Sequence, residues 1–151
     1  MIQRIQTIWL LLATIVLILM LFLPIATNLG VQESTVYIKG IQQSYSGDGL
    51  LVKTNIPILS TAILITLICF INIFNFKRRS LQKKIIIFTI VAIIGFAVWC
   101  SIYLKQLPGG IEGASFGVGA YLPAVAILFL VLAIFGINND ERLIRSAERL
   151  R

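Results

Sequence analysis

The sequence contains no histidine. That removes the side chain that most often serves as a general base near neutral pH, and with it the commonest metal ligand. Acidic residues are scarce: Glu33, Asp48, Glu112, Asp140, Glu141 and Glu148 are the whole set. No pair of them has a recognisable active-site motif, so the chain reads as non-enzymatic, without cofactor or metal. Two cysteines, Cys69 and Cys100, each lie inside an apolar run, far apart and without CxxC spacing, which suggests neither zinc nor a disulfide framework. Charged residues of both signs make up 13% of the 151 residues, where a soluble domain carries about a quarter. Hydrophobic residues make up 58%, and mean hydropathy is +0.96. These deficits exclude a disordered chain, a coiled coil and an ordinary cytosolic enzyme. They fit a small polytopic membrane protein.

Roughly 20 apolar residues in a helix cross a hydrocarbon core of about 30 Å. Four charge-free stretches meet that requirement: Thr7 to Ala26, Ile56 to Asn75, Ile85 to Leu104 and Val118 to Ile137. The expected fold is all-α, a single domain over 1–151 built as a bundle of four transmembrane helices. The connections are unequal: 27–55 and 105–117 on one side, and the short 76–84 loop and the 138–151 tail on the other. The apolar stretch of the first span is long for a signal peptide and no A-x-A site follows, so it is expected to stay as a membrane helix. No internal repeat or low-complexity segment is present.

Lys and Arg divide sharply between the two sides. Arg4, Lys77, Arg78, Arg79, Lys83, Lys84, Arg142, Arg145, Arg149 and Arg151 make ten on one; Lys39, Lys53 and Lys105 make three on the other. The positive-inside rule places both termini and the 76–84 loop in the cytoplasm. A net charge of +7 in a soluble protein would raise nucleic acid as a partner. Here the basic residues flank apolar runs, so orientation and anionic headgroups at the cytoplasmic face explain them, and no nucleic-acid partner is expected.

Three segments are familiar together: the opening MIQRIQTIWLLL, GASFGVGAYLP at 113–123, and the closing NNDERLIRSAERLR at 138–151. On these the chain resembles, over essentially its whole length, the family catalogued as domain of unknown function 4293. The resemblance implies a small four-helix inner-membrane protein of Bacteroidetes-type bacteria. It supports topology and lineage and transfers no catalytic residue.

Several segments carry alternative readings. GASFGVGAYLP opens the fourth span with Gly113, Gly117 and Gly119, and Pro123 removes a helical hydrogen bond about two turns in. It is either a broken or re-entrant piece whose free backbone binds a ligand, or a helix entrance whose small residues allow close packing. Gly119, Ala126 and Ala133 recur every seven residues, with Ala120 and Ala124 beside them at small-xxx-small spacing. That helix-packing stripe faces either another span of the chain or a partner protein.

In the second span, Ala62, Thr66, Cys69 and Asn72 form one weakly polar face; an Asn near a helix end is expected to bond a neighbouring helix or reach the interface. The spans hold no charged group of the kind that marks ion or proton paths. Lys77, Arg78, Arg79, Lys83 and Lys84, with Arg142, Arg145, Arg149 and Arg151, are candidates for headgroup or partner docking. The tail from Asp140 reads as a separate short helix, with Asn139 or Asp140 as N-cap, that lies in the headgroup layer or docks on a partner. Val36 to Ile41 and Leu50 to Thr54 have strand character and would pair as a β-hairpin leaning on the outer helix ends.

Two functional classes follow. The first is an accessory or scaffolding subunit of a larger membrane complex, with another integral membrane protein as partner. The second is a small transporter, channel or lipid-binding protein. Helical depth also predicts that Cys69 and Cys100 are not bridged: about nine residues, or roughly 13 Å, separate their levels, and a disulfide needs Cα atoms within about 7 Å.

Overall fold

In the computed structural model, which describes residues 5–28, 34–45, 48–105 and 114–149, four helices and five short strands follow one another. Helix α1 spans Ile5–Phe22, α2 Ile56–Phe74, α3 Arg79–Lys105 and α4 Val118–Arg149. All four are long and apolar enough to cross a membrane. Strands β1 (Ala26–Asn28), β2 (Ser34–Tyr37), β3 (Gly40–Tyr45) and β4 (Asp48–Thr54) lie between α1 and α2, and β5 (Ala114–Phe116) precedes α4.

The bundle runs up, down, up, down. Each helix packs on its neighbours in sequence, and α1 closes the ring on α4 through the most extensive contact of all. Inward faces repeat at three- and four-residue steps. Leu10, Ala13, Leu17 and Met20 of α1 are buried, as are Ile86, Thr89, Ile93 and Phe96 of α3. That periodicity keeps one seam of each helix turned inward. The outward faces are equally apolar: Leu64, Leu67, Phe88, Val91 and Leu128 are all more than half exposed. Continuous apolar exposure on this scale is untenable in water and is what lipid requires.

Phe74 ends α2, a single 3₁₀ turn covers Asn75–Lys77, and α3 starts at Arg79. The connection is therefore much shorter than the 76–84 loop read from hydropathy. Arg79, Lys83 and Lys84 belong to the first turns of α3, where the Arg78 carbonyl accepts from the Gln82 N–H at 2.9 Å.

The tail is not a separate helix. α4 runs unbroken for 32 residues, about 48 Å, from Val118 to Arg149. Asn138, Asn139 and Asp140 each cost at most about 0.7 kcal/mol in a helix interior. Even with Gly136 two residues upstream, and with Ile137 fully buried, that is too little to end it.

The opposite end carries more β-structure than a hairpin. The strands form one antiparallel sheet in the order β4-β3-β2-β1-β5. The expected Val36–Ile41 strand is interrupted, because the chain turns at Ile38–Lys39 and pairs Tyr37 with Gly40. Gly40 takes φ 152°, a left-handed value that glycine adopts without strain. The turn drives Ile38 into the core at 1% exposure. β1 uses Ala26–Asn28, so the first helix stops four residues before the hydropathic stretch does.

Candidate functional site

Two regions concentrate the chain's unusual features, one at each end of the bundle. At the sheet end, α1 stops at Phe22 and the chain passes through Pro24, which has no N–H to donate. The Pro24 carbonyl accepts from the Gly119 N–H at 2.9 Å, and the Ile25 carbonyl accepts from the Gly117 N–H at 2.8 Å. The Ile25 N–H donates to the Val36 carbonyl at 2.8 Å. In the first turn of α4, where N–H groups lack partners inside the helix, the Gly119 N–H is thus satisfied by the chain leaving α1, and the Ala120 N–H donates to the Gly117 carbonyl at 3.1 Å.

This approach needs glycine. A Cβ on Gly117 would overlap the Pro24 carbonyl, and one on Gly119 would lie 2.6 Å from the Pro24 oxygen and 2.8 Å from the Leu23 oxygen. β1 and β5 then zip together from Ala26–Phe116 to Asn28–Ala114, and the Thr27 and Ser115 hydroxyls share a hydrogen bond of 2.6 Å. The described part of GASFGVGAYLP is therefore neither re-entrant nor broken. It is a strand-to-helix junction, and Pro123 sits inside an uninterrupted helix. Gly113 lies outside the described residues.

Under this junction is an apolar cavity of about 170 Å³. Met20 bounds it on α1, Ile38 on the sheet side, Phe96 and Cys100 on α3, and Gly119 and Pro123 on α4. The volume is close to that of an apolar cavity, about 150 Å³, that admits a benzene ring. Among the described residues, no acidic or basic side chain lines it. It can hold a small apolar group.

The small-residue positions fall on different faces of α4. Ala126 and Ala133 are fully buried, Gly119 is buried and Ala120 is half-buried, while Ala124 is exposed. Ala124 lies about 160° around the helix from Ala126, so it does not belong to this seam. Beside the seam, Trp9 of α1 stacks on Phe129 of α4 with ring centroids 5.9 Å apart.

The basic end is held by polar contacts between helices. Asn72 Nδ2 donates to the Gln82 carbonyl and Gln82 Nε2 donates to the Asn72 carbonyl, both at 3.3 Å, pinning α2 to α3. Both side chains are essentially fully buried, and Asn72 bonds the neighbouring helix as its position near a helix end predicts. The Thr14 hydroxyl lies 3.4 Å from the Cys69 sulfur, joining α1 to α2. Ala62, Thr66, Cys69 and Asn72 all face inward. Both cysteines are free thiols. Lys83 Nζ meets Glu141 Oε2 at 2.7 Å, pinning α3 to α4.

Of the basic candidates, Lys83 is committed to this ion pair. Arg78, Lys84 and Arg142 are exposed and Arg79 is half-buried. Lys77, Arg145 and Arg149 have described backbone only, and Arg151 lies outside the described residues.

Three contributors escaped the sequence. Glu141, one of the six acidic residues, is the Lys83 partner. Gln6 and Gln82, which the sequence did not single out, are core residues at 1% and 0% exposure. Gln6 packs where a Cβ on Gly136 would lie 3.4 Å from its own, and its carboxamide has no hydrogen-bond partner among the described residues. The available signal was spacing: Gln6 lies four residues before Leu10, and Gln82 four before Ile86, both on the buried seams.

No curated protein matches the chain. The family model described as domain of unknown function (DUF4293) matches residues 2–150, and this near-complete coverage, with four apolar helices tied together at both ends, places the chain in that family.

Proposed function

We propose that the chain is a non-enzymatic accessory or scaffolding subunit of a larger complex in the bacterial inner membrane, with both termini and the α2–α3 connection in the cytoplasm. The observation that carries this reading is the uninterrupted course of α4. From Gly136, level with Gln6 near the start of α1, α4 continues to Arg149, about 20 Å further. A separate helix could lie flat in the headgroup layer. A continuation of a membrane helix, pinned to α3 by Lys83–Glu141, instead projects from the bundle as a rigid arm. Its residues Arg142, Arg145 and Arg149 suit a partner with an acidic surface. The concentration of Lys and Arg at the same end supports the orientation.

The test is purification of the full chain in mild detergent, followed by mass spectrometry, beside a variant carrying Arg142→Glu, Arg145→Glu and Arg149→Glu. Glutamate keeps helix propensity close to that of arginine. A stoichiometric partner is expected with the native chain and lost with the variant, at unchanged thermal stability. A native chain that purifies without any protein partner overturns the reading. That result would favour the second reading, a lipid-binding protein, for which the cavity beneath the sheet is the supporting observation.

A further inference from the structure

Helices α2 and α3 leave an open groove of about 460 Å³ between them at the basic end. Ile68 and Ile71 of α2 form one wall, Ile85 and Phe88 of α3 the other, and buried Asn72 lies between them. The walls face outward: Ile71 is 58% and Phe88 62% exposed. Among the described residues, one charged side chain, Lys84, lines this apolar channel.

The two adjacent lysines of α3 are used differently. Lys83 reaches to α4 and is neutralised by Glu141. Lys84, about 100° further round the helix, is exposed and has no ion-pair partner among the described residues. A lysine at this depth lays its methylene stem along apolar surface and lifts its ammonium toward the headgroup level. On the α3 wall Lys84 stands between Leu81, nearer the start of the helix, and Ile85 and Phe88. Among the described residues the groove therefore has an apolar body and one positive charge in its α3 wall, whose flexible stem can carry the ammonium toward the start of α3. That layout complements one phospholipid with a net negative headgroup.

We propose that this groove binds one anionic phospholipid, its acyl chain along Ile68, Ile71, Ile85 and Phe88 and its phosphate on Lys84. Assigning that lipid to the cytoplasmic leaflet rests on the orientation given under Proposed function. The binding itself depends only on the groove and on Lys84. Lys83 has no part in it, because its charge is already paired.

The experiment uses the full-length protein in detergent with equal amounts of phosphatidylglycerol and phosphatidylcholine, and counts retained lipids by native mass spectrometry. The native chain should keep one phosphatidylglycerol in preference to phosphatidylcholine. Lys84→Gln should hold it about fivefold more weakly, the value of one near-surface lysine against an anionic headgroup. Lys83→Gln should retain the lipid as the native chain does. Unfolding in lipid-free detergent should be the same for Lys84→Gln and the native chain, which separates lost binding from lost folding.

The proposal is overturned if the native chain keeps neither lipid or does not discriminate between them. It is equally overturned if Lys84→Gln retains phosphatidylglycerol unchanged, or if Lys83→Gln loses it as much as Lys84→Gln does. Because the purified protein meets both lipids from either side, a wrong orientation in cells would leave these results unchanged and would appear only in a topology measurement.

Discussion

Replacing Gly119 with alanine tests whether the junction between α1 and α4 is held by backbone approach. The new Cβ would sit 2.6 Å from the Pro24 oxygen and 2.8 Å from the Leu23 oxygen, and both neighbours are backbone that cannot rotate away. Either α4 withdraws and loses the Gly119 N–H to Pro24 bond, or the exit of α1 shifts and disturbs β1. Overpacking of this kind costs about 1–3 kcal/mol, and the lost hydrogen bond about 1 kcal/mol. Alanine returns up to about 1 kcal/mol of helix propensity. The net loss is therefore about 1–3 kcal/mol.

Gly95 supplies the control. It lies in α3, and a Cβ there meets nothing within 4 Å. Gly95→Ala should be neutral or stabilising by up to about 1 kcal/mol. The assay is thermal unfolding in mild detergent, followed by tryptophan fluorescence, which Trp9 against Phe129 makes sensitive to the α1–α4 contact. Gly119→Ala melting with the native protein, or Gly95→Ala destabilising as much, would refute the reasoning.

Other outcomes follow from the same packing. Ala126→Leu places a larger side chain at a position with 0% exposure and should cost about 1–3 kcal/mol, while Leu128→Ile, on the exposed face, should cost less than 1 kcal/mol in the same melts. A double-mutant cycle on Lys83→Gln and Glu141→Gln should give a coupling of about 0.5–1 kcal/mol that shrinks with added salt, since both side chains are partly exposed. Gln6→Leu removes a buried carboxamide that has no partner among the described residues and should raise stability by about 1 kcal/mol or more; a fall in melting temperature would contradict that burial.

Hydropathy made the four spans legible because each is a local property of about twenty consecutive residues. The five-stranded sheet was not legible in the same way. β1 and β5 are three residues each, too short for a two-residue alternation to register, and they pair across 88 positions of chain, as Thr27 does with Ser115. The glycines at 117 and 119 stood out in the sequence, but their purpose depends on where the Pro24 carbonyl lies, which no local pattern contains. Asn139 and Asp140 resemble a helix start. Their weak preference is overridden by burial of Ile137 and by the Lys83–Glu141 pair, both of which come from tertiary contact. Ala124 shares small-xxx-small spacing with Ala120 and still faces outward, because spacing fixes a face and leaves open which face turns inward.

The direction of the chain through the membrane underlies the docking arm and decides which leaflet supplies the groove's lipid, and a topology reporter measures it directly. A reporter active only in the cytoplasm should give full signal when fused after Arg151 and none when inserted at Gly47, between β3 and β4. Signal at Gly47 with silence at Arg151 would contradict the account.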